Sequence, residues 1–458
     1  MDRQRDLSIE SISMEQHDDE QQDLAAVPMP TAITLIPDDV LADVFRRASP
    51  RGLAACRCVC RAWRALIDDR RLLRADRLPL SLAALLLCLN VEWNRPELFA
   101  RPGADVTGYL MPRRTTGIDD HCNGLILINH DVLNPATGRV VRLPKCPPSP
   151  LWGDPHFFFQ DRYLAFDPAE SPHYQVFCIP MLLTRNRKEE PAYRAISQCE
   201  WPPSPFFLSV FSSMTGRWEA RSLVRQGGAA GTVDDMDVQL SYEHAHSACW
   251  RGALYVHCQN YFVLRISLSE HTTTYQVIQP PRELEDKECS GGRLGRSEKG
   301  VYFACFDRES HLCVWILHDD SSACGHMEWI LRHRSAYGLA LPSSPRSSWT
   351  LHNAFRSEDG NADAQEWDSD DDDGEESTLH AESEDRIQER LVDCEILALH
   401  PYREIVFMFT EAQSREVTYA YHLKSSKLDN LGNLFPKDGT PTPGCITLME
   451  NAFRYTPC

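Results

Sequence analysis

The sequence predicts an α+β multidomain protein, in which a small N-terminal helical unit is followed by an all-β, propeller-like domain. The chain has 458 residues, of which 42% are hydrophobic and 25% are charged, so it is long enough for two or more globular domains. Between residues 31 and 75 the apolar residues recur at helical spacing. From about residue 118 onward, short apolar runs alternate with turn residues, which is typical of antiparallel strands.

Residues 1–30 are predicted to form a disordered acidic tail. They carry many acids and lack an apolar core, which excludes a secretory signal peptide. The longest apolar run, from Leu78 to Leu89, is shorter than the roughly 20 residues that a bilayer requires. We therefore expect no membrane partner and a location in the cytoplasm, the nucleus or both.

Residues 31–75 are predicted to form short helices. Pro37 with Asp38 and Asp39 suits a helix start, because proline is tolerated in the first turn and acids there face the positive end of the helix dipole. Ser49 and Pro50 repeat this signal and predict a second helix from about Pro50. The apolar positions that set the helical spacing are Val40, Leu41, Val44, Phe45, Leu53, Val59, Cys60, Trp63 and Ile67.

Three cysteines in this unit, Cys56, Cys58 and Cys60, occupy alternate positions. Successive members lie about 200° apart around a helix, so Cys58 points away from the other two and the three thiols cannot close around one zinc ion. The 17 cysteines of the chain show no short-domain spacing, and we expect small buried side chains without disulfides. No metal site, cofactor or catalytic residue is predicted.

The segment "IPDDVLADVFRRASPRGLAACRCVCRAWRALI" resembles the F-box of plant F-box proteins. The resemblance implies docking on the Skp-family adaptor and, through it, on the cullin of an SCF-type (Skp-cullin-F-box) E3 ubiquitin ligase. The segment departs from the family pattern at Ala48, where leucine is usual, and at Gly52, where serine is usual. The residues that the resemblance assigns to adaptor binding are Ile36, Pro37, Leu41, Val44, Phe45, Leu53, Val59, Cys60 and Trp63.

The composition of this unit also favours a protein partner. About forty residues bury too little apolar area to stand alone, so part of the apolar set is expected to pack on another surface. Arginines outnumber acids, which suits an acidic protein. Nucleic acid is the alternative partner, but Trp63 and Ile67 follow core spacing and no separate basic groove appears downstream, so none is expected.

Residues 76–117 are predicted to be an interdomain transition, and residues 118–458 a propeller-like β domain. Five weak repeats at spacings of roughly forty to sixty residues each present an apolar strand pair and then a strand that ends in a polar turn, as expected for small antiparallel sheets that pack on their neighbours. The repeats begin near "HCNGLILI", "RYLAFDP", "HSACWRGALYVHC", "SEKGVYFACF" and "CEILALHPYREIVF".

This β region resembles the F-box-associated β domain of the same plant family, through "CNGLILI", "NPATGR", "WRGALYVHC" and the terminal "YTPC". The resemblance implies a non-catalytic substrate-recognition adaptor that recruits an unknown protein target for ubiquitination. The aromatic residues expected to take part in recognition are Trp152, Trp250, Tyr261 and Trp315.

Residues 356–390 are predicted to form a disordered acidic insertion between the fourth and fifth repeats. The stretch "EDGNADAQEWDSDDDDGEESTLHAESED" and the N-terminal tail account for essentially all of the net charge of −19. The run cannot bury enough apolar surface to order. It also lacks the alternating ligands and the closing glutamate of a calcium loop.

A second class of function is a propeller enzyme of the glycosidase or oxidase type with an incidental F-box. Asp167, Asp307 and Glu404 lie at strand ends, where carboxylates can act as an acid and base pair. Each stands in a turn context, however, which favours a capping role. The histidines His244, His246, His257, His400 and His422 form no metal-ligand motif, and phosphate-loop and Ser-His-Asp signatures are absent.

Overall fold

The computed structural model divides the chain into two compact units, Met1–Pro79 and Leu80–Cys458. The residues that the structure describes are 36–47, 53, 56–57, 59–70, 72, 82, 84–89, 96–101, 118–134, 139–147, 158–168, 170–182, 190–236, 246–269, 271–284, 290–320, 326–336, 342, 349–353, 394–412, 415–434 and 449–455. The predicted acidic tail (1–30) and acidic insertion (356–390) lie outside them, as do Ala48 and Gly52. Within the described residues, no helix is both long enough and apolar enough to cross a bilayer.

The first unit contains helices α1 (Asp38–Arg47) and α2 (Arg61–Asp69). Helix α1 carries two acids in its first turn and two arginines in its last turn, as its dipole favours. Leu53, Cys56, Arg57 and Val59 are helical, in agreement with the predicted second helix from about Pro50. This helix ends before Cys60, which is extended (φ −155°, ψ 167°) and caps α2. The buried residues of the unit are Leu41, Ala42, Phe45, Leu53, Ile67 and Leu72.

The described residues of the second unit form six four-stranded groups, which we call blades 1 to 6. The strands of each blade are given from the innermost to the outermost. Blade 1 contains β26 (Met449–Tyr455), β1 (Ala84–Leu89), β2 (Pro96–Ala100) and β21 (Thr350–Asn353), blade 2 contains β3 (Asp120–Cys122), β4 (Leu125–Ile128), β5 (Asp131–Asn134) and β6 (Arg139–Arg142), and blade 3 contains β7 (Phe158–Ala165), β8 (Gln175–Leu182), β10 (Phe206–Ser212) and β11 (Arg217–Gln226). Blade 4 contains β13 (Ser247–Trp250), β14 (Ala253–His257), β15 (Val263–Ser267) and β16 (Thr274–Ile278), blade 5 contains β17 (Ser290–Ser297), β18 (Gly300–Phe306), β19 (Leu312–Asp320) and β20 (His326–Arg334), and blade 6 contains β22 (Cys394–Leu399), β23 (Ile405–Ala412), β24 (Arg415–His422) and β25 (Lys427–Asn433).

The six innermost strands form a closed ring. Each contacts the next in the order β26, β3, β7, β13, β17 and β22, and β22 contacts β26 again. The predicted fold class, a helical unit followed by a propeller-like β domain, is therefore confirmed. A short helix, α3 (Pro191–Ile196), and a two-stranded ribbon of β9 (Glu200–Trp201) and β12 (Gly231–Thr232) lie within blade 3 connections.

Blade 1 corrects two sequence predictions. The sequence indicated five repeats, and these correspond to blades 2 to 6. The segment 76–117 was predicted to be an interdomain transition, but β1 and β2 lie within it, and β1 pairs with both β2 and β26. The apolar run of β1 is buried because it is an inner strand with blades on both sides, with Leu85 and Leu87 fully buried.

Burial follows the position of a strand within its blade. The second strand of blade 5, β18, is buried along its whole length, whereas the outermost strand of blade 3, β11, is mostly exposed. The hydrophobic clusters lie between neighbouring blades, as in the cluster of Tyr302, Val314, Val406 and Tyr421 between blades 5 and 6. Packing of blade on blade therefore provides the core.

Blades 3 and 4 share one hydrogen-bonded sheet. Their outermost strands, β11 and β16, pair in parallel over Val224 to Gln226 and Thr274 to Gln276. Together the two blades make an eight-stranded sheet.

Candidate docking surfaces

An exposed apolar stripe runs along one side of helix α1. Val40 and Val44 are one helical turn apart and share a face of α1, and Ile36 lies two residues before the helix begins. Their exposed fractions are 38% for Ile36, 52% for Val40 and 56% for Val44, and Val59 is 64% exposed. We call these four residues the apolar stripe of the first unit. Together they give this small unit several large apolar side chains that are exposed to solvent.

The residues predicted to bind the adaptor divide into two groups. Leu41, Phe45 and Leu53 are buried in the core of the unit itself, so they hold the helices together. Trp63 is half-buried and packs edge-on against Phe45, with ring centroids 5.0 Å apart. The predicted residues at the surface are Ile36, Pro37, Val44, Val59 and Cys60. The sequence placed Val40 in the helical pattern but not among the docking residues.

Two of the cysteines in this unit have distinct positions. Cys56 is half-buried and packs against the core, as predicted. Cys60 is exposed, and its thiol accepts a hydrogen bond from the backbone N–H of Trp63 at 3.4 Å. Its prediction as a packing residue is therefore wrong, because the position is an N-cap, and such a position requires a hydrogen-bond acceptor.

Several arginines of the unit are engaged in ion pairs within it. Arg57 makes a bidentate pair with Asp68 at 2.7 and 2.9 Å, and Arg70 pairs with Asp39 at 2.7 Å. The Arg70–Asp39 pair joins the end of α2 to the start of α1, and the Arg57–Asp68 pair joins the segment before α2 to its last turn. The basic surplus available to a partner is therefore smaller than the sequence indicates.

In the second unit, a tryptophan–arginine cluster lies where innermost strands end. The guanidinium carbons of Arg251 and Arg296 are 5.6 and 5.3 Å from the ring centroid of Trp250, within range of cation–π attraction. Arg251 and Gly252 both have positive φ (45° and 68°), as a tight hairpin turn requires. Arg296 also donates to the Asn123 side chain at 3.3 Å, so the cluster joins blades 2, 4 and 5.

The other aromatic residues predicted for recognition lie elsewhere. Trp315 is 2% exposed and belongs to the core between blades 4 and 5, so its predicted role at the surface is wrong. Tyr261 is half-buried and packs on His257 and Phe303. Trp152 lies outside the described residues. Alternation along a strand sends every second side chain inward, which composition alone does not reveal.

A buried polar group centred on Asp120 lies between the innermost strands. One carboxylate oxygen of Asp120 accepts hydrogen bonds from the Leu164 N–H and the Ser247 hydroxyl, each at 2.7 Å. Arg293 donates to the carbonyl of Ile396 at 2.7 Å and contacts the ring of His246. A cavity of only about 30 Å³ remains among these residues. The contacts link blades 2 to 6, so we call this set the polar girdle.

The carboxylates considered for catalysis are engaged in structural contacts. Glu404 accepts two hydrogen bonds from Arg332, at 2.9 and 3.2 Å, and one from the Tyr302 hydroxyl at 3.1 Å. The Asp307 side chain accepts the backbone N–H of His311 at 3.0 Å. Asp307 thus caps a turn, as predicted, whereas Glu404 joins blade 6 to blade 5 instead of capping a turn.

The predicted histidines also have structural environments. His400 is buried and accepts the Tyr402 N–H at 3.1 Å, and His422 pairs with Asp429 at 2.9 Å. His246 and His257 are buried, and His244 lies outside the described residues.

One group in the described part of the chain brings possible metal ligands together. The ligand atoms of Asp307, Glu309 and His311 lie within 4.8 Å of one another. Arg334 donates to both carboxylates, at 2.7 and 3.4 Å. A cationic side chain thus already occupies the place that a metal ion would take.

Comparison with known proteins identifies the first unit. The F-box-like family model matches residues 33–75. A search of curated proteins found no match. The chain is also similar to a solved structure of the mitotic checkpoint complex (9% identity, 78% of this chain and 85% of that chain, TM-score 0.29) and to apo AztD from Citrobacter koseri (10%, 71% and 76%, 0.28).

A further similar structure is the WD40 domain of SCAP from fission yeast, with 9% identity over 80% of this chain and 78% of that chain and a TM-score of 0.24. Because these TM-scores are low, we describe the β domain from its own strand order alone. That order and the family match lead to one conclusion: the chain carries an F-box-like domain at residues 33–75, followed by a propeller-like β domain.

Proposed function

We propose that this protein is a substrate-receptor subunit of an SCF-type ubiquitin ligase. The F-box-like domain docks on a Skp-family adaptor and, through it, on a cullin, while the β domain holds a protein target in the cytoplasm or nucleus. The protein itself is non-catalytic. The observation that carries the proposal is the F-box-like match at residues 33–75 on a unit with an exposed apolar stripe.

The first unit has separate buried and exposed apolar residues, and this separation supports the proposal that it docks on an adaptor. The inward side chains Leu41, Phe45 and Ile67 already complete a core. The apolar stripe is therefore surplus to the unit's own folding. Burying half-exposed valines against a partner contributes on the order of 1 kcal/mol each, and such apolar positions are typical of the centre of an interface.

The tryptophan–arginine cluster supports the proposal that the β domain binds a protein target. Two guanidinium groups on an indole ring form a rigid, positively charged surface at the end of the ring of blades. Guanidinium groups bind carboxylate and phosphate groups in bidentate fashion. We therefore expect the target to present an acidic segment there. Tethering of adaptor and target in one chain raises the effective concentration of target lysines near the ubiquitin-loaded enzyme.

The docking half is tested with the double variant Val40→Ser, Val44→Ser in the full chain. Replacing both exposed valines should weaken binding to a purified Skp-family adaptor roughly tenfold or more, because about 1 kcal/mol is lost at each position. Isothermal titration calorimetry measures the affinity. Proximity labelling with the ligase inhibited, in wild type and variant, then separates ligase subunits from proteins captured by the β domain.

The matched control is Val140→Ser, since Val140 is 42% exposed on the outermost strand of blade 2. It should leave adaptor affinity unchanged. A variant with both valines replaced that still binds the adaptor as tightly as wild type contradicts the proposal. A core variant, Phe45→Ala, should lose binding together with the helical signal of the first unit, which distinguishes loss of the surface from loss of the fold.

A further inference from the structure

A cavity of about 410 Å³ lies beside blade 3. Basic side chains contribute much of its wall, and two cysteines also line it. The described residues around it are His130, Arg142, Leu143, Lys145, Cys146, Gln160, Arg162 and Cys178. The two cysteines differ in access, since Cys146 is partly exposed whereas Cys178 is 1% exposed.

The register of the strands in blade 3 shows which side chains lie side by side at the bottom of this cavity. Arg162 on β7 is the cross-strand partner of Cys178 on β8, and Cys178 is the partner of Ser209 on β10. Partners directly opposite each other in neighbouring strands project to the same face of a sheet. A row of guanidinium, thiol and hydroxyl groups therefore crosses one face of blade 3.

The segment after β6 covers this row and carries the second cysteine. Its backbone is held at two points: the Leu143 N–H donates to the His130 carbonyl at 2.6 Å, and the Trp218 indole N–H donates to the Pro144 carbonyl at 2.9 Å. Cys146 follows two residues later, and its thiol donates to the Pro147 carbonyl at 3.5 Å. It lines the same cavity as Cys178.

The surroundings of the two sulfur atoms give them different roles. The neighbouring Cys178 thiol lowers the pKa of Cys146, and the positive charge of Arg162 lowers it further against the effect of burial. The neighbouring Cys146 thiol, with burial, raises the pKa of Cys178. Cys146 is therefore the more readily ionised of the two thiols, and the thiolate is the form that reacts with oxidants.

We propose that Cys146 and Cys178 form a peroxide-sensitive modification site, in which Cys146 is oxidised first and Cys178 then closes a disulfide. This inference is independent of the proposed ligase role.

The chemistry needs only a peroxide as the oxidant. The Cys146 thiolate attacks one oxygen of hydrogen peroxide, the O–O bond breaks, and the products are the sulfenic acid of Cys146 and hydroxide, which takes up a proton as water. The Cys178 thiol then loses its proton and its sulfur attacks the sulfenic sulfur. The S–O bond breaks and a second water leaves. Two thiols and one peroxide have become one disulfide and two waters.

A second thiol pair in the same domain serves as a built-in control. The neighbouring Cys122 thiol, together with burial, raises the pKa of Cys249, while the two thiols donate to the Phe166 and Leu164 carbonyls at 3.2 and 3.8 Å. Both are only 7% exposed, and the buried carboxyl of Asp120 lies near them. The pair consists of neighbouring thiols but lacks the access and the neighbouring guanidinium of the first pair, so it should stay reduced.

The test exposes the full chain to submillimolar hydrogen peroxide, blocks free thiols with N-ethylmaleimide and maps peptides by mass without reduction. The expected result is a link between the peptides of Cys146 and Cys178 that dithiothreitol reverses, formed at least about tenfold faster than any oxidation at Cys122 or Cys249. In Cys178→Ala, dimedone should label Cys146 as the trapped sulfenic acid.

The companion variant is Cys146→Ser, which should abolish the link and leave Cys178 unlabelled by dimedone. Thermal melts of both variants check that the β domain remains folded. Three outcomes overturn the proposal: equal oxidation of the two pairs, first labelling at Cys178, and no oxidation of Cys146 under conditions that oxidise exposed Cys60.

Discussion

Asp120 illustrates how a single residue sets the behaviour of the ring. Burial raises the pKa of its carboxyl from 3.8 to about 7, against the hydrogen bonds from Leu164 and Ser247 that favour the charged form. Burial likewise raises the pKa of Asp119 and Asp161 to about 6. A carboxyl group that is more easily protonated in the folded state stabilises the fold at low pH, and this contribution is lost as the pH rises through the folded pKa.

The expected consequence is a loss of stability between about pH 4 and pH 7. A shift of this size corresponds to a few kcal/mol on the order-of-magnitude scale of about 1.4 kcal/mol for each pKa unit. Asp120→Asn removes the charge and keeps an oxygen that can accept both hydrogen bonds. The melting temperature of Asp120→Asn relative to wild type should therefore rise by a few degrees between pH 5 and pH 8, as measured by differential scanning calorimetry.

Asp319→Asn is the control for this variant, because Asp319 is exposed in blade 5. Its melting temperature over the same pH range gives the baseline for an Asp→Asn change at an exposed position. A parallel pH profile for Asp120→Asn and wild type would show that Asp120 does not titrate in this range. Glu404 affects stability at lower pH, because hydrogen bonds from Arg332 lower the pKa of its carboxyl group. Its contribution to the stability of the fold is lost only as the pH falls through that lowered pKa.

At the scale of elements, the acidic insertion is predicted to be dispensable for folding. Replacing residues 356–390 by a bridge of about six Gly and Ser residues leaves roughly eleven residues between Asn353 of β21 and Cys394 of β22, counting the flanking residues that remain. At about 3.4 Å per residue these can span more than 30 Å, whereas crossing a four-stranded blade requires about 15 Å. The melting temperature should stay within about 2 °C of wild type, because loop length affects stability only logarithmically.

Circular dichroism during heating checks this result. The control replaces residues 356–390 by a Gly/Ser segment of the same length, which separates the loss of charge from the change in length. A large drop in melting temperature for the same-length replacement would mean that the acidic residues make stabilising contacts.

Elements whose signals are local were predictable from the sequence. Helix α1 followed from the spacing of Leu41 and Phe45 and the acids at its start, and the five repeats followed from apolar runs that end in turns such as Asn123-Gly124, where both φ angles are positive (44° and 83°). Such hairpins form between strands that are neighbours in sequence, so the local pattern of apolar and turn residues is enough to predict them.

Blade 1 and part of the docking surface were not predictable in this way. The strands of blade 1 come from three distant parts of the chain, 84–100, 350–353 and 449–455, and periodicity does not indicate which distant strands pair. Within the first unit, the same apolar residue types serve as core and as surface. Only the three-dimensional packing separates buried Leu41 from exposed Val40 and Val44.

For the whole molecule, the closure of the ring depends on β26. This strand is the innermost of blade 1, pairs with β1 and contacts the inner strands of blades 2 and 6. Ending the chain after residue 448 should therefore abolish cooperative unfolding of the β domain, since β1 loses one of its two pairing partners and two blade boundaries open. Differential scanning calorimetry measures the loss as a missing or strongly broadened transition.

Removal of residues 456–458 alone is the matched control and should leave the transition in place. A domain that lacks β26 and still unfolds in one sharp transition at the wild-type temperature would show that the ring does not need this strand for its stability.

The parallel pairing of β11 with β16 has a mechanical consequence. Among the described residues, no other two blades share a hydrogen-bonded pair of strands. Packed side chains at a blade boundary can slide in small shear steps, whereas a hydrogen-bonded ladder resists sliding. Blades 3 and 4 should thus move as one stiff plate, and the compliance of the ring is concentrated at its remaining boundaries. A force that pushes the blades apart would strain those boundaries first, so the ring should yield asymmetrically under load.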